Sequence, residues 1–273
     1  MDELPLSTLH TADAGGPDAP EDPRHRVVFL HGLFGRGKNF TRIAKDLAPG
    51  YRSLLVDLPN HGESAWTDTV DYRQMADSVA ATLRVGVAAE GPVAVVGHSL
   101  GGKVAMLLAL RHPDVVSRLV VVDIAPTQAG GAEGEFAHLL DSLAALDLGT
   151  ITRRSEADEA LKESIPWDTT RLFLLQNLRG GPEGYSWEPN LELLRRSLDA
   201  IGGFPETDGA VFDGPVLWVA GGRSDYVRDE YVPLMRALFP QTHRVTIREA
   251  GHWVHSQAPE TFTEVLRGFL DHT

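Results

Sequence analysis

The 273-residue chain contains no cysteine. That excludes disulfides, thiolate metal ligands and a cysteine nucleophile. Basic residues are scarce as well. There are 25 Lys and Arg against 38 Asp and Glu, a formal net charge of −13, and no Lys/Arg cluster stands out. Binding to nucleic acid or to an anionic membrane is therefore not expected, and the acidic excess reads as a solvated surface. No apolar run approaches the length of a membrane span. The opening residues, M-D-E-L-P-L, have neither a basic start nor an apolar core, so no signal peptide is evident. The expectation is a freely soluble cytoplasmic protein, a monomer or small homo-oligomer.

What is present is ordinary globular composition, 42% hydrophobic and 23% charged, in a chain long enough for one full-size core. Short β-branched runs alternate with longer helical patterns. The runs are R-V-V-F-L (26–30), R-S-L-L-V (52–56), P-V-A-V-V (92–96), R-L-V-V-V (118–122), P-V-L-W-V-A (215–220) and H-R-V-T-I (243–247). Most are apolar on consecutive positions, as in strands covered on both faces. Between them, Phe40, Ile43, Ala44 and Leu47 share a helical face behind an Asn39 cap. Tyr72, Met75, Ala76, Val79 and Leu83 do the same, with Asp71 and Gln74 in capping-box positions. Such alternation predicts an α/β fold with a mostly parallel central sheet flanked by helices. P-L-S-T-L-H (5–10) is a candidate edge strand, and the Gly/Pro/Asp-rich stretch 12–23 reads as a surface loop.

The alternation breaks once. From about 127 to 212 the sequence offers helical patterns (135–146, 155–165, 170–178 and 190–198) and no good strand. An all-helical cap inserted before the last two strands would lie over the sheet's carboxyl edge, where such folds bind ligands. The expected division is a core of 1–126 with 213–273 and a lid of 127–212.

One stretch carries chemistry. V-V-G-H-S-L-G-G-K-V-A-M (95–106) runs from an apolar strand pattern through Ser99 into a helical pattern whose first turn holds Gly101 and Gly102. Glycine weakens a helix start, but Gly97-His98-Ser99-Leu100-Gly101 fits the G-x-S-x-G nucleophile elbow, where bulk beside the serine would collide with neighbouring backbone. A serine hydroxyl needs a base, and the base needs an orienting carboxylate. The base candidate is His252 in G-H-W-V-H (251–255), with His255 as rival. The acid is either Asp123, ending V-V-V-D-I-A-P, or Asp225 in G-G-R-S-D-Y-V. Spacing favours Asp225. An oxyanion hole would draw one N–H from Leu100 and a second from Leu33 in H-G-L-F-G (31–35), with Phe34 lining the acyl pocket.

These residues resemble the α/β-hydrolase superfamily and, within it, the YbfF-like small esterases. The resemblance is carried by H-G-L-F-G-R-G-K-N-F (31–40), D-L-P-N-H-G-E-S (57–64), G-H-S-L-G-G-K-V-A-M (97–106), V-V-D-I-A-P (121–126), G-G-R-S-D-Y-V (221–227) and G-H-W-V-H (251–255). It implies that Asp123 is the triad acid, with Asp225 the alternative, and that Asn60-His61-Gly62 is a structural turn. The implied activity is cleavage of short to medium acyl esters through an acyl-enzyme, with no metal or organic cofactor and a small-molecule ester as the partner. A thioesterase or a cofactor-free haloperoxidase would use the same residues, and a non-catalytic receptor is a third reading. A dehalogenase or epoxide hydrolase would carry aspartate where this chain has Ser99. His98, Phe173, Trp187 and Trp253 join Phe34 as candidate pocket residues. The stripe Leu172-Leu175-Leu178 reads better as helix packing.

Overall fold

The computed structural model describes residues 9, 11–13, 22–128 and 133–272. In chain order it begins with β1 (Thr11–Asp13), β2 (Arg26–Leu30), α1 (Thr41–Leu47), β3 (Arg52–Val56), α2 (Tyr72–Arg84), β4 (Val93–His98), α3 (Leu100–Arg111) and β5 (Val116–Val122). Then come α4 (Glu133–Ala144), α5 (Arg154–Leu161), α6 (Asp168–Leu175), β6 (Leu178–Gly181), β7 (Gly184–Trp187), α7 (Leu191–Arg196) and α8 (Leu198–Gly202). The chain ends with β8 (Val216–Gly221), α9 (Val232–Leu238), β9 (Thr242–Ile247), α10 (Val254–Gln257) and α11 (Pro259–His272).

Among the described residues the main sheet has the order β1-β3-β2-β4-β5-β8-β9. β1 pairs antiparallel with β3, and the other neighbours are parallel. Consecutive apolar residues in the inner strands serve both faces. Val28, Leu30, Val95 and Val121 pack with Met75 and Val79 of α2 and Leu107 of α3. Their neighbours Val27, Phe29, Val96 and Val120 pack with Ile43 of α1 and Phe262 and Leu266 of α11. Each such side chain taken fully from water contributes roughly 1.5–3 kcal/mol before the entropy of ordering is counted.

The six strand runs read from the sequence all form strands, within two residues at each end. Three local expectations change. The edge strand falls at Thr11–Asp13, overlapping the start of the stretch read as loop, because the ladder with β3 pairs Thr11 with Val56 and Asp13 with Leu54. Of 5–10, only Leu9 lies within the described residues, and it is not in a strand. Asn39 is not the α1 cap. The chain enters α1 through a 3₁₀ turn (Gly37–Phe40), and the Asn39 side chain accepts from Arg36 N at 2.7 Å inside that turn. Finally, the segment between β5 and β8 is not all helical. The periodicity read as helix through 178 stops at Leu175, and Leu178–Gly181 and Gly184–Trp187 form an antiparallel hairpin closed across Pro182 and Glu183. Gly184 supplies the left-handed φ of 104° that this turn needs.

This inserted segment sits on loops that leave the carboxyl ends of β2 and β3. Asn177 donates to the Phe34 carbonyl at 2.7 Å, and Arg36 pairs with Glu188 at 2.7 Å. Trp66 Nε1 donates to the Glu188 carbonyl at 2.9 Å. Among the described residues no helix is long and apolar enough to cross a membrane.

Asp71 caps α2 as its spacing indicated, accepting from Arg73 N at 2.7 Å and Gln74 N at 3.2 Å. Asp71→Ala is expected to lower stability by about 1 kcal/mol in urea denaturation. An unchanged midpoint would mean that the cap is replaced by solvent at no cost.

Candidate active site

The turn between β4 and α3 is set by how closely backbones approach. A Cβ on Gly97 would lie 2.2 Å from the Gly101 carbonyl oxygen, and one on Gly101 would lie 2.4 Å from the carbonyl oxygens of Leu30 and His31. Only glycine fits at either position. Between them Ser99 holds φ 51° and ψ −118°, a conformation that L residues rarely adopt and that the surrounding packing must enforce. The result is a hydroxyl raised over the first turn of α3.

His252 reaches that hydroxyl from the loop after β9. Its Nε2 lies 3.0 Å from Ser99 Oγ, and its Nδ1 lies 2.9 Å from Asp123 Oδ2. Asp123 directly follows β5 at a φ of 50° and is fully buried. Its Oδ1 accepts from Gly221 N at 2.8 Å, and its Oδ2 also accepts from the Ser224 hydroxyl. A carboxylate held by these donors is aimed at His252. It fixes the proton of His252 on Nδ1 and leaves the Nε2 lone pair facing Ser99.

Asp225, the alternative acid, is exposed, and its backbone carbonyl accepts from Arg228 at 3.1 Å. The structure brings its neighbours to the site instead. Ser224 bonds Asp123, and the Tyr226 ring stacks on His252 with centroids 4.1 Å apart. Both lie in the motif read for its aspartate, and nothing in their spacing singled them out.

His255, the rival base, is buried and stacks on Phe40 at 4.5 Å. Burial pushes its pKa down to about 3, and the neighbouring His252 adds to the shift. His98, a pocket candidate, does not border the small cavity beside Ser99. It is buried, and its Nε2–H donates to the His252 carbonyl at 2.8 Å, so it braces the histidine loop from behind. Burial lowers its pKa well below the ordinary value. His61 lies in the Asn60-His61-Gly62 turn, bonded through Nδ1 to the Pro59 carbonyl at 3.0 Å, and burial lowers it to about 3. Gly62 is required there, because a Cβ would lie 2.2 Å from Asp57 Oδ2.

A small cavity of about 30 Å³ adjoins Ser99, bordered by Leu33, Leu100, Ile124, Phe136 and Tyr226 among others. Leu100 heads α3, so its N–H has no intrahelical acceptor. Leu33 occupies the turn closed by Gly35 N to the Gly32 carbonyl at 2.9 Å, and its own N–H takes no part in that bond. Two donors of the type an oxyanion needs thus border one space with Ser99.

The remaining pocket candidates disperse. Phe34 does not line this cavity; it is buried at φ 60° with its ring 6.3 Å from Phe136. Trp187 faces the inserted segment's own core, donating to the Leu143 carbonyl at 3.1 Å. Phe173 and Trp253 meet with centroids 6.0 Å apart on a separate groove of about 510 Å³. Leu175 and Leu178 are buried packing, whereas Leu172 is 62% exposed. A further residue escaped notice. Lys103 lies among the apolar residues of α3, buried, and borders the Ser99 cavity. Its signal was a charge inside the apolar stretch of α3, whose other charge, Arg111, ends the helix and is exposed.

The fold, the strained serine turn and the histidine loop define a class, and the chain belongs to it: residues 25–259 match the α/β hydrolase fold family. Within the family it is 40% identical over 253 residues to the sn-1-specific diacylglycerol lipase ABHD11 of Mus musculus, covering 89% of this chain and 80% of that one. It is 29% identical over 245 residues to the esterase YbfF of Escherichia coli (strain K12), covering 90% and 92%. Among solved structures, a marine microorganism esterase superposes with a TM-score of 0.88 at 30% identity, covering 96% of this chain and 99% of that one.

Two outcomes test this geometry. Asp123→Asn is expected to lower kcat on a p-nitrophenyl ester by about 10⁴, since the wrong histidine tautomer then faces Ser99. Asp225→Asn should stay within about threefold of wild type, and comparable losses in both would reject Asp123 as the orienting acid. The buried imidazoles make the second test. A folded-state pKa below the unfolded value near 6.5 gives stability that is present above about 6.5 and lost as pH falls toward 3. The urea midpoint should fall between about pH 7 and 4, and His255→Phe should lose less over that range. An equal loss in the variant would mean that His255 accepts its proton without cost.

Proposed function

We propose that the protein is a serine hydrolase of the carboxylesterase type, with Ser99 as nucleophile, His252 as general base and acid, and Asp123 as the orienting carboxylate. Ser99 Oγ attacks the ester carbonyl carbon as its proton passes to His252 Nε2. The N–H groups of Leu100 and Leu33 hold the developing oxyanion. The carbon–alkoxy bond breaks, the alcohol leaves with the proton from His252, and an acyl-serine remains. Water, losing a proton to His252, then attacks the acyl-serine and frees the acid and Ser99. Residues 127–212 act as the lid over this site.

The observation that supports this reading most directly is the unbroken relay Asp123–His252–Ser99, with contacts of 2.9 and 3.0 Å ending on a serine in a strained turn. Similarity to proteins named as esterases supports the ester as the reacting group. The 40% identity to a protein named as an sn-1-specific diacylglycerol lipase favours a second reading, in which the ester belongs to a glycerolipid.

Ser99→Ala is expected to lower kcat on p-nitrophenyl butyrate by about 10⁶ and to abolish labelling by a fluorophosphonate. Hydrolysis that survives the substitution would sink the assignment. A panel of short esters, acyl-CoA thioesters and diacylglycerol then separates ester, thioester and glycerolipid chemistry by relative kcat/KM.

A further inference from the structure

Lys103 takes no part in the chemistry above, yet its surroundings are highly organised. It follows Ser99 by four residues on α3, so the two share one side of the helix, and its backbone N–H donates to the Ser99 carbonyl at 3.1 Å. The side chain is 1% exposed. Burying an ammonium is costly unless each N–H finds an acceptor. Here the three acceptors are the carbonyls of Ile201 (3.2 Å), Gly202 and Gly203 (2.7 Å). They lie at the C-terminal end of α8, where helix geometry leaves carbonyls without intrahelical donors and the macrodipole is negative. Tyr72 supports the same end, its hydroxyl donating to the Ile201 carbonyl at 2.7 Å and its ring lying 5.8 Å from the ammonium. Leu198 and Ile201 of that helix border the 30 Å³ cavity beside Ser99, as does Lys103 itself.

We propose that Lys103 is a positioning residue that pins α8 against the cavity beside the nucleophile and thereby limits the acyl chain the enzyme accepts to short ones. The proposal rests on the serine-esterase reading given above. A cavity of about 30 Å³ holds one or two small groups. A longer acyl chain lodged in that cavity would press on Leu198 and Ile201. Moving α8 means withdrawing from the Lys103 ammonium the three carbonyls that hold it. An apolar side chain at 103 would leave those carbonyls to seek solvent and would free α8 to move. A lysine that served stability alone would have no bearing on the ratio of long to short substrates.

The test compares kcat/KM for p-nitrophenyl octanoate and p-nitrophenyl acetate in the wild type, Lys103→Met and Lys103→Gln. The wild type is expected to prefer acetate, and the octanoate-to-acetate ratio should rise by about tenfold or more in Lys103→Met. Lys103→Gln keeps two of the N–H donors and should give an intermediate ratio. A ratio within about twofold of wild type, in a variant that still takes the fluorophosphonate label, overturns the proposal while leaving the esterase reading intact. So does a wild-type preference for octanoate, which favours the glycerolipid reading. If neither variant folds, Lys103 is a requirement of the core rather than of substrate length, and the proposal fails. A wild type that neither labels nor hydrolyses esters removes both readings together.

Discussion

The turn joining β4 to α3 passes so near the end of β2 that no side chain fits between them. A Cβ on Gly101 would lie 2.4 Å from the Leu30 and His31 carbonyl oxygens, and one on Gly97 would lie 2.2 Å from the Gly101 carbonyl oxygen across the turn. From that close approach follow the strained φ of Ser99, the placement of its hydroxyl over α3, and the pairing of Leu100 with Leu33 at the border of one cavity. The helix gives up propensity in its first turn to allow it. Gly102 belongs to the same constraint, for a Cβ there would lie 2.6 Å from Ile124.

Around this turn the protein places histidines of two kinds. His252 is bonded on both ring nitrogens to groups that use its proton. His98 and His255 are packed behind it and kept neutral by burial. They form a rigid aromatic backing, His98 through its bond to the His252 carbonyl and His255 through its stack on Phe40. His31 and His61 lie together, with rings 5.1 Å apart, under the loops that carry the inserted segment. At His31, His61 and His98 the imidazole is flat like an aromatic ring yet satisfies a buried backbone group. His31 Nε2, for example, accepts from Leu58 N at 2.9 Å.

Legibility along the chain follows the range of the interaction concerned. The inner strands were readable because burial on both faces demands consecutive apolar residues, as in R-V-V-F-L and P-V-A-V-V. The α2 cap was readable because Asp71 acts on Arg73 and Gln74, in the helix's first turn. The hairpin of β6 and β7 was not, since its four-residue strands are too short for alternation to show and Leu178 continues the helical stripe of α6. Phe173, Trp187 and Trp253 were all aromatic and near the cap, but their partners lie far off in sequence, such as the Leu143 carbonyl for Trp187.

The sequence by itself determined the alternation of strand and helix, the glycine-flanked serine turn and the presence of a histidine in the last loop. Each is governed by residues within a few positions of one another. Spacing pointed to Asp225 and resemblance to Asp123; the tertiary structure brings Asp123 to that histidine across 129 positions through the order of β5, β8 and β9. It also decided that Lys103 meets the end of α8. Contacts of that range depend on how sheet and cap pack, and no local pattern encodes the distance between them.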